Sequence, residues 1–151
     1  MRTLVLGIGS PIMCDDAIGL RVLQELATMK LEGVDLEEAC ASGLDLIEVM
    51  IDYDRVIIVD AIIDSSHPPG TVMELGVEAF ADSVHGSNPH EANIATTIEL
   101  GRRLEPERFP GDIRFVAVEA NDVGTLSEQM TPEVEAALPE AIKTILRLIK
   151  E

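Results

Sequence analysis

The chain contains no tryptophan, one tyrosine and three phenylalanines, so its core must be built almost entirely from aliphatic side chains. Basic residues are also scarce, since 11 Lys and Arg stand against 28 Asp and Glu and the formal net charge is -17. Nucleic acids and anionic membrane surfaces are bound through clustered Lys and Arg, and this balance therefore argues against both as partners. A metal ion, a cationic partner or simple solubility is compatible with it.

Cysteines and long apolar runs are equally few. Cys14 and Cys40 form neither a metal-type pair nor a disulfide framework. No apolar run reaches the roughly 18 residues that a membrane-spanning helix needs, and the N-terminus passes from Arg2 directly into a strand pattern rather than into a signal peptide. We therefore expect a cytoplasmic protein with reduced thiols and no membrane association. The length of 151 residues predicts a single domain over residues 1–151.

Apolar runs that predict strands alternate with patterns of helical period. Strands are predicted at 3–8, 34–39, 55–61, 71–75 and 112–118, and helices at 16–29, 44–50, 91–103 and 131–150. The third strand contains four consecutive β-branched residues, which is typical of a strand buried on both faces of a parallel sheet. Residues 80–90 show no period and predict a loop, and Pro139 predicts a kink or a break in the last helix.

This order of elements predicts an α/β fold, a three-layer α/β/α sandwich around a mostly parallel, twisted sheet. A short connection joins the third strand to the strand at 71–75. Because a parallel neighbour would need a long crossover, at least one antiparallel strand is expected at this point.

The most informative segment is the first nineteen residues. An apolar run leads into the glycine turn Gly7-Ile8-Gly9-Ser10-Pro11, and Asp15 and Asp16 follow at the start of the first predicted helix. The third strand carries Asp60 at its end. Ligands of open α/β sheets bind beyond the carboxyl ends of the strands, and in a 2-1-3 strand order the first and third strand ends are neighbours. The three acids are therefore predicted to converge, which is costly unless a cation or a proton lies between them.

Helix chemistry adds a histidine to these acids. Asn88-Pro89-His90-Glu91 has the pattern of an N-cap, a proline at the first helical position and a glutamate at the third, which puts His90 in the first helical turn. A helix N-terminus disfavours imidazolium, so His90 should be neutral, the form that binds metals. Asp16, Asp60 and His90 then make an O,O,N set suited to nickel, zinc or manganese, with coordination positions left open.

Each of these residues also has an ordinary structural interpretation. Asp15 or Asp16 can serve as a helix N-cap, and Asp60 can be a turn residue after its strand. Cys14 lies near a helix start, but the neighbouring carboxylates should raise its pKa, so we interpret it as structural rather than as a nucleophile. The dinucleotide fingerprint is broken at Ser10-Pro11-Ile12, and no phosphate loop or serine-hydrolase elbow is present in the sequence.

Taken in order, these motifs resemble those of the nickel-iron hydrogenase maturation endopeptidases. The matching segments are Gly7-Ile8-Gly9-Ser10, Asp15-Asp16-Ala17-Ile18-Gly19, Val59-Asp60-Ala61, Pro69-Gly70-Thr71, Pro89-His90 and Met130-Thr131-Pro132. The chain departs from the family at Ser10, where Asn is usual, and at Asp16, where relatives often have Glu. Of the family's glycine-rich turn after the second strand it retains only Gly43.

The resemblance implies an endopeptidase that recognises nickel already inserted into a hydrogenase large-subunit precursor and removes the C-terminal extension of that precursor. It implies nickel-contacting and catalytic residues whose individual roles stay open: Asp16, Asp60 and His90. It also implies a set of residues that support the site: Gly7, Gly9, Asp15 and Gly43. Nickel would arrive with the substrate, so no organic cofactor is expected. Nickel could gate recognition or act as a Lewis acid, or an aspartate could act as general base.

Three other functions fit the same strand-end acids. One is a different metal-dependent hydrolase acting on a small molecule, and another is a nickel-sensing chaperone that binds the precursor without cutting it. The third is a receiver-like signalling module, which needs an acid pair directly at the strand end and a lysine after a late strand. Here the stretch from Gly9 to Cys14 intervenes, and Val118-Glu119-Ala120-Asn121 contains no lysine.

Overall fold

The computed structural model describes residues 1–39, 44–63, 66–83 and 89–151, with the backbone alone at 44, 83 and 89–93. The strands are β1 (Thr3–Ile8), β2 (Val34–Ala39), β3 (Arg55–Ile62), β4 (Val72–Leu75) and β5 (Asp112–Glu119). A short 3₁₀-helix (Cys14–Ala17) precedes the helices α1 (Ile18–Ala27), α2 (Leu44–Met50), α3 (Val77–Ser83), α4 (Pro89–Leu104) and α5 (Pro132–Lys150).

The strands form one five-stranded sheet in the order β2-β1-β3-β5-β4. The pairs β1–β2, β1–β3 and β3–β5 are parallel, and β4 runs antiparallel to β5. The predicted α/β fold and the 2-1-3 strand order are thus confirmed. The antiparallel strand pairs with β5 rather than with β3, because β3 is already flanked by β1 and β5 and the nearest unpaired edge is the outer edge of β5.

The sheet is covered on both faces, as predicted for a three-layer sandwich. Every residue of β1 and of β3 is buried, and alternate side chains enter two separate hydrophobic clusters. Val5, Ile57 and Val59 face α1 and α5, whereas Leu4 and Ile58 face α2, α3 and α4. Each aliphatic side chain buried in this way stabilises the fold by roughly 1.5–3 kcal/mol, and these clusters hold the strand ends in fixed positions.

Several predicted boundaries are wrong, each for a physical reason. Residues 80–83 belong to α3 instead of a loop; this helix is too short to show a period and is held by Phe80, which stacks on Phe115 with ring centroids 3.9 Å apart. The helix predicted at 16–29 begins as the 3₁₀-helix and continues as α1. α5 continues through Pro139, so the predicted break is wrong; Glu135, whose carbonyl loses its helical partner to the proline, is exposed and can reach water instead.

Candidate active site

Two glycines bring the loop after β1 close to the sheet. Gly9 has a φ of +149°, and a Cβ there would lie 1.9 Å from the carbonyl oxygen of Asp16. A Cβ on Gly7 would lie 2.7 Å from the carbonyl oxygen of Gly19, at the start of α1. No side chain larger than hydrogen fits in either place, so Gly9 fixes the approach of the 3₁₀-helix and Gly7 fixes that of α1.

Asp16 lies in the 3₁₀-helix and is partly exposed. Its Oδ2 accepts a hydrogen bond from the backbone N–H of Ser10 at 3.0 Å, which folds the glycine turn back over this carboxylate. No side chain caps either the 3₁₀-helix or α1. The N-cap interpretation of Asp15 and Asp16 is therefore wrong, and the second aspartate is held at the carboxyl edge of the sheet.

Asp15 is completely buried and faces a different part of the chain. Its carboxylate accepts the backbone N–H groups of Asn121, Asp122 and Thr131 at 2.7 to 2.9 Å. The hydroxyl of Thr131 donates to the same carboxylate. Because Thr131 is the N-cap residue of α5, the negative charge also lies at the positive end of that helix. Asp15 ties the β1 loop to the β5–α5 loop and does not join Asp16 and Asp60 around one ligand.

Asp60 lies inside β3, which continues for two residues to Ile62, so its interpretation as a turn residue is wrong. It is 1% exposed, and its Oδ1 accepts the backbone N–H of Ala61 at 2.9 Å. By the alternation of the strand, its side chain points to the face of Ile58 and Ile62, which is covered by α2, α3 and α4. On the neighbouring strand its register partner is Ala117.

Asp16 and Asp60 stand on elements that touch each other. The 3₁₀-helix contacts β3. At the start of α1, a Cβ on Gly19 would lie 2.6 Å from the carbonyl oxygen of Val59, the residue before Asp60. This close approach of α1 to the end of β3 brings the two aspartates to the same edge of the sheet.

His90 is the second residue of α4, whose first residue is Pro89, as the sequence pattern predicts. This helix packs on the sheet face to which Asp60 points. Gly43 and the predicted cap Asn88 lie outside the described residues. Among the side chains that the structure describes, which do not include that of His90, no group of three His, Cys, Asp or Glu is arranged to hold a metal ion.

Glu119 is a buried carboxylate that the sequence analysis did not select. It is the last residue of β5, is 2% exposed, and follows Ala117 on the same face of the sheet. Glu119 therefore lies on the strand next to Asp60, two residues beyond the register partner of Asp60, and on the sheet face that α4 covers. The rule that identified Asp60, an acid at the carboxyl end of a buried strand, would also have identified Glu119 if the strand had been predicted to extend beyond Val118.

Cys14 has the structural character that the sequence predicts. It is 5% exposed, and burial, followed by the negative charge of Asp15, raises the pKa of its thiol. A raised pKa keeps the sulfur protonated and unreactive at neutral pH. Its φ of +55° is unusual for a residue with a side chain and marks a sharp turn of the backbone before the two aspartates.

Comparison with known proteins shows the family to which the chain is similar. A family model for hydrogenase maturation proteases matches residues 20–148. Over 154 aligned positions the chain is 30% identical to the hydrogenase 2 maturation protease of Escherichia coli K12, covering 100% of this chain and 92% of that protein. No helix in the described part of the chain is long and apolar enough to cross a membrane.

Solved structures show the same likeness. The hydrogenase-maturating endopeptidase HybD from E. coli is similar with a TM-score of 0.89 at 29% identity, covering 99% of this chain and 93% of that one. HybD from Thermococcus kodakarensis shares the fold, with a TM-score of 0.81 at 24% identity and coverage of 98% and 99%. The fold and these relatives define the chain as a peptidase. It belongs to the hydrogenase maturation protease family, and the receiver-like alternative is wrong.

Proposed function

We propose that the protein is an endopeptidase that removes the C-terminal extension of a NiFe hydrogenase large-subunit precursor after nickel has been inserted into it. Relatives named as hydrogenase maturation proteases support a hydrogenase as the substrate. In this proposal the nickel belongs to the substrate, so the peptidase holds no metal of its own. We propose no organic cofactor either. We also propose that it acts in the cytoplasm, where thiols stay reduced.

The proposal depends on the neighbouring positions of Asp16 and Asp60 at the carboxyl edge of the sheet. The 3₁₀-helix with Asp16 contacts β3, and Asp60 points to the face that α4 covers. His90 belongs to the first turn of that helix. Two carboxylates and one imidazole make an O,O,N set that suits nickel and leaves positions for the precursor's own ligands.

The two aspartates differ in exposure, and this difference suggests how a bound precursor would be contacted. Asp16 is partly exposed, so an incoming protein can reach it from solvent. Asp60 is 1% exposed and forms the floor of the edge. We propose that the nickel of the precursor is held between the partly exposed carboxylate of Asp16 and the buried carboxylate of Asp60. Three mechanisms for cleaving the scissile bond stay open. Nickel can serve for recognition of the precursor, nickel can polarise the scissile carbonyl, or an aspartate can act as general base.

The direct test is to incubate the purified protein with a large-subunit precursor, with and without nickel, and to measure the product by mass. We expect a shortened product from the nickel-loaded precursor alone. Asp16→Asn, Asp60→Asn and His90→Ala should each lower the cleavage rate by about a hundredfold or more. Asp54→Asn is the matched control, because Asp54 is exposed and lies before β3, at the opposite edge of the sheet. Normal cleavage by Asp16→Asn would remove Asp16 from the site.

Nickel titration of the isolated protein separates this proposal from the small-molecule hydrolase. A peptidase that meets nickel in its substrate should bind the free ion weakly, whereas a resident metal centre binds it tightly. Calorimetry with nickel alone measures the difference. A precursor that is bound but never shortened would instead support the non-cleaving chaperone.

A further inference from the structure

Two large apolar side chains are exposed together at the same edge of the sheet as the candidate site. Ile12, in the loop after β1, is 47% exposed, and Leu126, in the loop between β5 and α5, is 73% exposed. Both line one surface depression of about 340 Å³, together with Ser127 and Glu128. We call these four residues the Ile12–Leu126 patch. Apolar side chains exposed singly need no explanation, whereas these two line one depression, so a single side chain of a partner can contact both.

The backbone under the patch is held by regular hydrogen bonds. Met13 and Ser127 form a parallel β-bridge. The N–H of Ser127 donates to the carbonyl of Ile12 at 2.8 Å, and the N–H of Cys14 donates to the carbonyl of Ser127 at 3.0 Å. Both apolar residues are thus presented by a preorganised surface, so a partner that covers them loses little affinity to ordering of these loops.

Hydrogen bonds connect the two loops that carry the patch to Asp15 and Asp16. Asp16 holds the loop of Ile12 through the N–H of Ser10. Asp15 holds the loop of Leu126 through Asn121 and Thr131. Both loops that carry the patch are therefore held by the two adjacent aspartates, and the patch lies at the same edge of the sheet as Asp16.

The charge around the patch restricts what can bind there. Glu128 is exposed and lines the depression. The sequence has no Lys or Arg in residues 3–20 or 115–142, the two stretches that contain these loops. Asp122 lies in the same loop, and its hydrogen bonds from Thr125 and Gly124 lower the pKa of its carboxyl group and favour the charged form. An occupant with apolar side chains and flanking basic residues is complementary to this surface, and an acidic segment is repelled.

We propose that the Ile12–Leu126 patch binds an extended segment of the precursor beside its cleavage point, with an apolar side chain between Ile12 and Leu126 and a basic residue near Glu128. This inference rests on the proposed function, because it takes the precursor as the partner. It assigns the patch to docking, with no part in bond cleavage.

The test uses Ile12→Ser and Leu126→Ser, two changes at exposed positions. We expect each to weaken binding of a synthetic peptide comprising the C-terminal extension, and to raise KM for the nickel-loaded precursor, by about tenfold with kcat unchanged. Glu128→Lys should also weaken peptide binding, because it places a positive charge beside the basic residue of the peptide, and this effect should be smaller at high salt. Leu104→Ser is the matched control: Leu104 is 60% exposed but ends α4, away from the carboxyl edge of the sheet.

Peptide binding and precursor cleavage are measured separately so that the two proposals can fail independently. If the peptide binds and Leu126→Ser weakens it while no precursor is cleaved, the docking surface stands and the proposed function fails. If Leu126→Ser and Leu104→Ser bind the peptide equally well, the docking proposal is overturned even when cleavage is normal. A dimer of the unmodified protein that Leu126→Ser dissociates, measured by sedimentation velocity, would also overturn it.

Discussion

Thr131 donates both its backbone N–H and its hydroxyl to the carboxylate of Asp15, a residue 116 positions earlier in the chain. The two residues join the loop after β1 to the N-terminus of α5, and both loops lie at the edge that carries the candidate site. The same carboxylate also accepts the N–H groups of Asn121 and Asp122. One buried side chain thus holds three segments of backbone in place around Asp16.

Removing this link should destabilise the protein more than it changes the chemistry of the site. Asp15→Ala would leave three backbone N–H groups without their acceptor, at about 1–3 kcal/mol for each group, so we expect a loss of about 3 kcal/mol or more in the free energy of unfolding. Thr131→Val should cost about 1.5–3 kcal/mol, because it removes the hydroxyl that donates to the charged Asp15, and Thr131→Ser, which keeps that hydroxyl, should cost much less. Urea unfolding measures all three. A midpoint for Asp15→Ala equal to that of the unmodified protein would show that the link contributes nothing.

Gly9 should tolerate no side chain. A Cβ there would lie 1.9 Å from the carbonyl oxygen of Asp16, at a φ that L-residues rarely adopt. We expect Gly9→Ala to lower the free energy of unfolding by about 1–3 kcal/mol from backbone strain alone, and to reduce cleavage by displacing Asp16. Gly111→Ala is the control, because nothing lies within 4 Å of a Cβ at that position. If both variants cleave the precursor at the unmodified rate, the close approach at Gly9 does not position the site.

Stability should fall in acid partly through Asp112. Burial alone would raise the pKa of Asp112, but hydrogen bonds from Arg55 and Arg114 outweigh it and hold this pKa below its ordinary value. A pKa that is lower in the folded state stabilises the protein above the unfolded pKa of about 3.9, and this contribution is lost as the pH falls through the folded pKa. Urea unfolding between neutral and acidic pH should show a smaller loss in Asp112→Asn than in the unmodified protein. Identical pH profiles for the two proteins would contradict this assignment.

Cys14 should be unreactive in the folded protein. Burial and the charge of Asp15 raise the pKa of its thiol, so the thiolate needed for alkylation is scarce at neutral pH. Iodoacetamide labelling followed by peptide mass spectrometry should find Cys14 unmodified under native conditions and modified in urea. Cys14→Ala should keep its cleavage activity. Fast labelling at neutral pH together with loss of activity in this variant would instead identify a nucleophile.

Much of the sheet could be predicted from local pattern. The bounds of β1 and β2 agree with the sequence prediction, and those of β3, β4 and β5 agree to within one residue. Of these strands, β1, β3 and β5 are short, largely apolar runs whose burial follows from composition, whereas β2 alternates apolar and acidic residues and has no buried residue. The first turn of α4, with Pro89 at its start, could also be predicted, because proline and capping chemistry act over only a few residues. The helix α3 could not, because Phe80 gains its stability from Phe115, which is distant in the chain.

The sequence by itself determined the class of fold, the family and the candidate residues Asp16, Asp60 and His90, because strand patterns, helix starts and motif order are carried by neighbours along the chain. Only the tertiary structure separated the roles of two adjacent aspartates, turning Asp15 towards the β5–α5 loop and Asp16 towards Ser10. It alone placed Glu119 on the face of Asp60 and joined Ile12 to Leu126 at one surface. The relationships of Asp15, Glu119 and Leu126 depend on strand register and on contacts between residues more than 50 positions apart, which packing of the whole core decides.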